Sequence, residues 1–200
     1  MAHLAVTTSA PPSTYPLSRL RRLHLGCGAK YLPGFFHVDI LNAPHVDHCG
    51  HVDELAFIPD GTVELIYACH VLEHFGRYEV EPVLREWYRV LAPGGVLRLA
   101  VPDFAAVVEL YQTLGLEDGR NGLMGLVCGG QRTPYDFHKI AFDRPFLTRL
   151  LHAAGFGEVR PWAWRTTDHA HLDDYSQAYL PHMDKEHGRL MSLNLEAEKR

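Results

Sequence analysis

The chain has 200 residues, of which 46% are hydrophobic and 22% charged, and its formal net charge is -5. That length suits one domain able to bury roughly 70% of its unfolded surface, and the acidic balance argues against a general nucleic-acid or membrane-surface binder. No apolar stretch has the length of a membrane span. The four cysteines, Cys27, Cys49, Cys69 and Cys128, form no Cys-x-x-Cys pair, so they read as reduced thiols in a cytoplasmic protein.

Residues 1–20 are rich in Pro, Ser and Thr and read as a flexible arm before a single domain over 21–200. Two short apolar runs, 23–27 and 36–40, have the look of buried parallel strands. Only residues 29–35 lie between the glycine turn that ends the first and the start of the second. The first crossover must therefore be a loop or a single turn. A weak third strand over 46–49 and a strong fourth over 63–69 follow. From residue 79 the apolar positions Val80, Val83, Leu84, Trp87, Val90 and Leu91 fall at helical spacing until Pro93-Gly94-Gly95. A fifth strand is expected over 96–101, then a helix capped by Asp103.

Residues 115–143 form a long glycine-rich insertion of the kind that is usually functional. Asp143, Pro145 and Gly155 bracket another helix, and 158–162 reads as a sixth strand. The stretch 164–188, rich in His and Asp, is expected to lie over one end of the sheet as a rim segment. Alternation over 190–198 predicts an antiparallel last strand on the sheet edge. The fold class is thus α/β, a Rossmann-like doubly wound sheet, mostly parallel, with a shortened first crossover.

In such a sheet ligands bind beyond the carboxyl ends of the strands. Gly26-Cys27-Gly28, Asp39, Asp53, Cys69-His70, Glu73-His74 and Asp103 all fall on that rim. Glycines admit a ligand close to the backbone, and a carboxylate after the second strand can bind both hydroxyls of a ribose. The combination suggests an adenosine-bearing cofactor. A dinucleotide pyrophosphate needs the N-terminus of a full helix after the glycine turn, which residues 29–35 cannot supply.

LHLGCG, HVDI, VELIYACHVLEHF, EWYRVLAPGGVLRLAVPD and AAGF resemble the class I S-adenosylmethionine-dependent methyltransferases over residues 23–162. Within that class the chain is similar to a bacterial group with GCG...PGF...VD, HVLEHF and a C-terminal SLN. The resemblance implies S-adenosyl-L-methionine as cofactor and a small molecule or sugar as methyl acceptor. It places Gly26, Cys27 and Gly28 at the methionine and ribose, Asp39 at the ribose hydroxyls, Asp53 near adenine, and Cys69 and His70 beside the sulfonium. The chain departs from the family in having His51 where an acid is usual and Lys30 where a third glycine is usual.

An oxygen or nitrogen acceptor must lose a proton, and His74, His138 and Asp103 are the candidate catalytic acceptors of it. Cys27 and Cys69 read as packed thiols, Glu73 as a cap on backbone groups, and the late histidines His169 and His171 as surface residues. No metal is expected. Two alternatives stand beside this reading: a zinc-dependent hydrolase using His70, Glu73 and His74 as an inverted zinc-peptidase motif, or a nucleotide-binding module without catalysis.

Overall fold

A computed structural model describes residues 15–200. Apolar runs closed by Gly, Pro and Asn become β1 (Arg22–Leu25), β2 (Phe36–Asp39), the two-residue β3 (His48–Cys49) and β4 (Val63–Cys69). The stripe that starts at Val80 forms α1 (Val80–Val90), which buries Val83, Leu84 and Trp87. The Trp87 indole donates to the Val52 carbonyl at 2.8 Å and so anchors the segment after β3. Strand β5 (Leu91–Pro102) is longer than the sequence suggests. Pro93-Gly94-Gly95 bulges out within it, and the register on β4 jumps from Val63 opposite Leu91 to Leu65 opposite Val96.

Asp103 caps α2 (Phe104–Leu114) by accepting from the Ala105 amide. The insertion contains one short helix, α3 (Met124–Cys128), that the sequence did not announce. In α4 (Arg144–Ala154) the Asp143 carboxylate accepts from the Phe146 amide, and Gly155 closes the helix in the left-handed region, as its sequence predicts. Then come β6 (Phe156–Pro161), a small hairpin of β7 (Tyr179–Leu180) and β8 (Arg189–Leu190), and finally β9 (Ser192–Lys199).

The main sheet has the order β3-β2-β1-β4-β5-β9-β6. All pairs from β3 to β5 are parallel, and β9 runs antiparallel to both β5 and β6. The last strand is thus antiparallel as expected, but it is interior, and β6 takes the edge. Its polar positions mislead because they are paired where they are buried. Glu196 meets Arg98 Nε at 2.8 Å and Arg160 at 3.1 Å, while the Asn194 amide donates to the Ser176 carbonyl at 2.9 Å.

Residues 29–35 form a looped connection with two turns, the Lys30 amide donating to Cys27 O and the Phe35 amide to Leu32 O. A parallel sheet needs both faces covered. Here Leu32 and Phe35 from this loop pack with Tyr67, Ala100 and Trp162, joined by Trp164 and Leu172 from the late segment. The tail therefore covers the face that a first crossover helix would have covered. His169 belongs to that layer: it is buried against Tyr67 and Trp162 and lies 2.9 Å from Arg98. The surface role expected of it is thereby corrected.

The region read as an arm is partly packed. Tyr15 meets Phe36 and Phe57 edge-on, and Leu20 is fully buried; residues 1–14 lie outside the described residues.

Candidate functional site

Beyond the carboxyl ends of β1, β2 and β4 lies an open cleft of about 1950 Å³. A site for one small ligand has about 300–1,000 Å³, so this cleft has room for two. On one side it is lined by Gly26, Cys27, Gly28, Asp39 and Asp53, on the other by Cys69, His70, His74 and His138.

The glycine turn is built for close approach. Gly26 and Gly28 have φ of +63° and +52°, a region that L side chains rarely adopt. A Cβ on Gly26 would stand 2.4 Å from Val71 Cγ2, whereas one on Gly28 would meet no atom within 4 Å. Gly26 is thus closed by packing and Gly28 by its conformation alone, with open space before it. We expect Gly26→Ala to lose about 2–4 kcal/mol of stability from strain and overpacking together. Urea denaturation measures this, and a loss under 1 kcal/mol would contradict the described turn.

Asp39 ties this turn to β2. Its Oδ2 accepts from the Gly28 amide at 2.7 Å and its Oδ1 from the Leu41 amide at 2.8 Å. His45 adds a 2.9 Å contact to the Gly28 carbonyl. A carboxylate offers about four acceptor positions, so two remain for a ligand. Asp53 presents a different feature: its Oδ1 is buried on the cleft wall and has no hydrogen-bond partner.

Burial, helped by the charge of Asp39, pushes the Cys27 thiol up to about 12, and burial likewise raises Cys69 well above its usual range. Neither is a nucleophile at neutral pH, as their reading as packed thiols anticipates.

Facing the glycine turn, β4 ends at Cys69, and His70 follows with φ of +54°. Its ring stacks obliquely on Tyr175 and approaches Ser192 Oγ at 3.4 Å. A single 3-10 turn, Leu72–His74, comes next. Glu73 caps nothing there, contrary to expectation: it is fully buried, and neither carboxylate oxygen has a hydrogen-bond partner. Without a compensating charge, burial pushes its pKa up to about 8.

His74 Nδ1 lies 3.1 Å from the Phe137 carbonyl, and His138 Nδ1 lies 2.9 Å from the Leu126 carbonyl. The two rings meet edge-on with centroids 5.1 Å apart. The insertion thus folds over the cleft and brings His138 to His74. Asp103 is not brought to them, since its carboxylate is committed to capping α2 and is not among the residues lining the cleft.

The inverted zinc-peptidase reading requires His70 and His74 on one face of a helix. A strand end and a 3-10 turn send the two rings to different neighbours, so that motif is not formed. Sequence reasoning also missed Tyr175 and Asp174, which the late segment delivers to the cleft wall, with Asp174 accepting from the Tyr67 hydroxyl at 2.6 Å. Their only signal was the polar composition of residues 164–188.

Residues 37–99, from within β2 to within β5, match the family described as a methyltransferase domain. No curated protein matches the chain. Among solved structures, it is similar to 1,6-didemethyltoxoflavin-N1-methyltransferase of Burkholderia thailandensis, solved with bound 1,6-didemethyltoxoflavin and S-adenosylhomocysteine, with 15% identity over 89% of this chain and 70% of that one (TM-score 0.54). It is also similar to S-adenosylmethionine-dependent methyltransferases of Mesorhizobium loti, with 20% identity over 90% of this chain and 91% of that one (TM-score 0.52), and of Archaeoglobus fulgidus, with 15% identity over 92% and 89% (TM-score 0.52).

At these identities the likeness is one of fold, and the fold is the Rossmann-like one of the S-adenosylmethionine-dependent methyltransferases. A methyltransferase-domain match lies at its centre, and S-adenosylmethionine is the cofactor that this fold implies. The residues present fit that cofactor: Gly28 has open space before it, and the unpartnered Asp53 oxygen can accept from an adenine amino group. Among the described residues no helix is long and apolar enough to cross a membrane.

Proposed function

We propose that the chain is an S-adenosylmethionine-dependent methyltransferase that methylates an oxygen or nitrogen atom of a small molecule or sugar, with cofactor and acceptor side by side in the cleft. The observation that carries this reading is the cleft itself, which has room for two ligands between the glycine turn and the histidine wall. When bound, the cofactor supplies an electrophilic methyl group. Gly26, Cys27 and Gly28 hold its amino-acid and ribose portions, Asp39 accepts from the ribose hydroxyls, Asp53 accepts from adenine, and Cys69 and His70 border the reacting end.

The remaining task of the protein is to hold the acceptor atom in line and to exclude water. His74 and His138 suit the acceptor wall. Because a carbonyl only accepts, the contacts of their Nδ1 atoms place a proton there, and in the neutral ring Nε2 then carries the lone pair. Burial lowers the pKa of His138, which keeps its ring neutral and able to take a proton at Nε2. The four cysteines, all free, fit the cytoplasmic location expected of the chain.

Calorimetry with S-adenosylhomocysteine tests the cofactor half. Asp53→Ala is expected to weaken binding about tenfold to a hundredfold, the worth of one charge-assisted hydrogen bond. Equal affinity in wild type and variant would remove Asp53 from the site. Failure of the folded wild type to bind S-adenosylhomocysteine would refute the reading as a whole.

A further inference from the structure

We propose that Glu73, His74 and His138 form a site for one divalent transition-metal ion on the acceptor side of the cleft. One ligand atom from each lies within 4.8 Å of the others. Tetrahedral bonds of about 2.1 Å require ligand atoms roughly 3.4 Å apart, and the His74 ring, only partly buried, is the ligand that would shift to close that gap.

Three features of these residues point to an ion. Both histidines tie Nδ1 to a backbone carbonyl and leave Nε2 as the nitrogen free to ligate, which is how ligating imidazoles are oriented from behind. Glu73 is buried with both oxygens unpartnered, and burial of a carboxylate is costly unless a positive charge meets it. Its close ionisable neighbours are His70 Nδ1 at 3.3 Å and His138 Nε2 at 3.9 Å, and among the described residues no lysine or arginine pairs with it. The Lys139 amide, finally, donates to the Glu73 carbonyl at 2.8 Å, so the backbone locks the turn carrying two of the ligands to the segment carrying the third.

Two imidazoles and one carboxylate suit zinc, iron or cobalt, whereas calcium and magnesium prefer all-oxygen shells. Three protein ligands leave a position open toward the cleft. The role of that position rests on the methyltransferase reading: it would take an oxygen of the acceptor, which favours hydroxyl or phenol substrates over amines. A hydroxyl bound to a divalent cation is already acidified, so the ion would take over the part that a free His138 Nε2 plays as proton acceptor.

The full chain, stripped with a chelator, is titrated with Co²⁺ by visible absorption with Zn²⁺ as competitor, and S-adenosylhomocysteine binding is measured on the same samples. We expect one Co²⁺ per chain, displaced by Zn²⁺. Glu73→Gln and His138→Gln are expected to weaken Co²⁺ binding at least about tenfold, since even partners behind a ligand are worth that much. Should Glu73→Gln not fold, His74→Ala, at a partly buried position, makes the same comparison. Absence of stoichiometric Co²⁺ in a folded sample, or equal affinity in wild type and variants, overturns the site. Loss of S-adenosylhomocysteine binding with Co²⁺ binding intact overturns the methyltransferase reading instead.

Discussion

Replacing Asp39 by alanine is expected to weaken S-adenosylhomocysteine binding at least about a hundredfold while lowering stability by only about 1–3 kcal/mol. The two effects come from different bonds of one carboxylate. In the free protein Asp39 accepts from the Gly28 and Leu41 amides. Leu41 is exposed and its amide can turn to water, but the Gly28 amide in the partly buried turn loses its acceptor. One such orphaned donor costs about 1–3 kcal/mol. The proposed ribose contact adds two charge-assisted hydrogen bonds, at about 1.5 kcal/mol or more each, hence about 3 kcal/mol or two decades of affinity. Denaturation in urea reads the first effect and calorimetry the second. A folded variant that binds S-adenosylhomocysteine within threefold of wild type would reduce Asp39 to a staple of the glycine turn.

Acidification should destabilise the fold well before the carboxylates titrate, and His24 is a principal reason beside His70, whose pKa burial lowers equally to about 3. The His24 ring lies inside the sheet layer, 2% exposed, with Tyr67, His37 and Phe35 around it at centroid distances of 5.3, 5.4 and 6.4 Å. Burial first, and then the neighbouring His37, His169 and His45, lower its pKa from 6.5 to about 3. Because the folded value is below the unfolded one, the unfolded chain binds the extra proton between those limits. Stability from this group is complete above pH 6.5 and declines as pH falls toward 3, by up to about 1.4 kcal/mol per pH unit. His37 and His169 are lowered as well, burial being the first cause in each, and act in the same sense. Urea denaturation at pH 6 and pH 5 should show the loss, with a slope shallower by about 1 kcal/mol per unit in His24→Phe. An unchanged slope in that variant would place the acid sensitivity elsewhere.

Much of the frame could be read from local signals because each rests on neighbours in the chain. The Asp103 and Asp143 caps, the closing Gly155 and the stripe of α1 are set within one or two turns of helix. So is the shortness of the connection over residues 29–35. The glycine turn and Asp39 were legible for the same reason: a parallel strand pair brings the end of β1 beside the end of β2, and the Gly28–Asp39 bond follows from the register of Leu25 opposite Val38.

What escaped depends on contacts between distant segments. Glu73 in a short turn reads as a cap, and only the packing around it shows that the carboxylate is sealed off without a partner. His138 joins His74 because the insertion returns to the backbone of Glu73 through Lys139. The alternation over residues 190–198 resembles an edge strand, yet Arg98 and Arg160 neutralise Glu196 from the neighbouring strands and make the interior position tolerable. His169 is sequestered by Tyr67, Trp162 and Arg98.

By itself the sequence determined the α/β class, the caps of two helices, the glycine turn with its acidic partner and a first crossover too short for a phosphate-binding helix. These follow from periodicity, capping and chain stiffness, which act over a few residues. Only the tertiary structure decided that the late segment covers the sheet in place of the missing helix. It alone decided that β9 lies inside the sheet. The gathering of Glu73, His74 and His138 within 4.8 Å of one another, behind the cleft wall, was likewise decided there. Each of these is a choice among long-range packings, and burial of apolar surface together with the pairing of buried charge makes that choice without leaving a local mark.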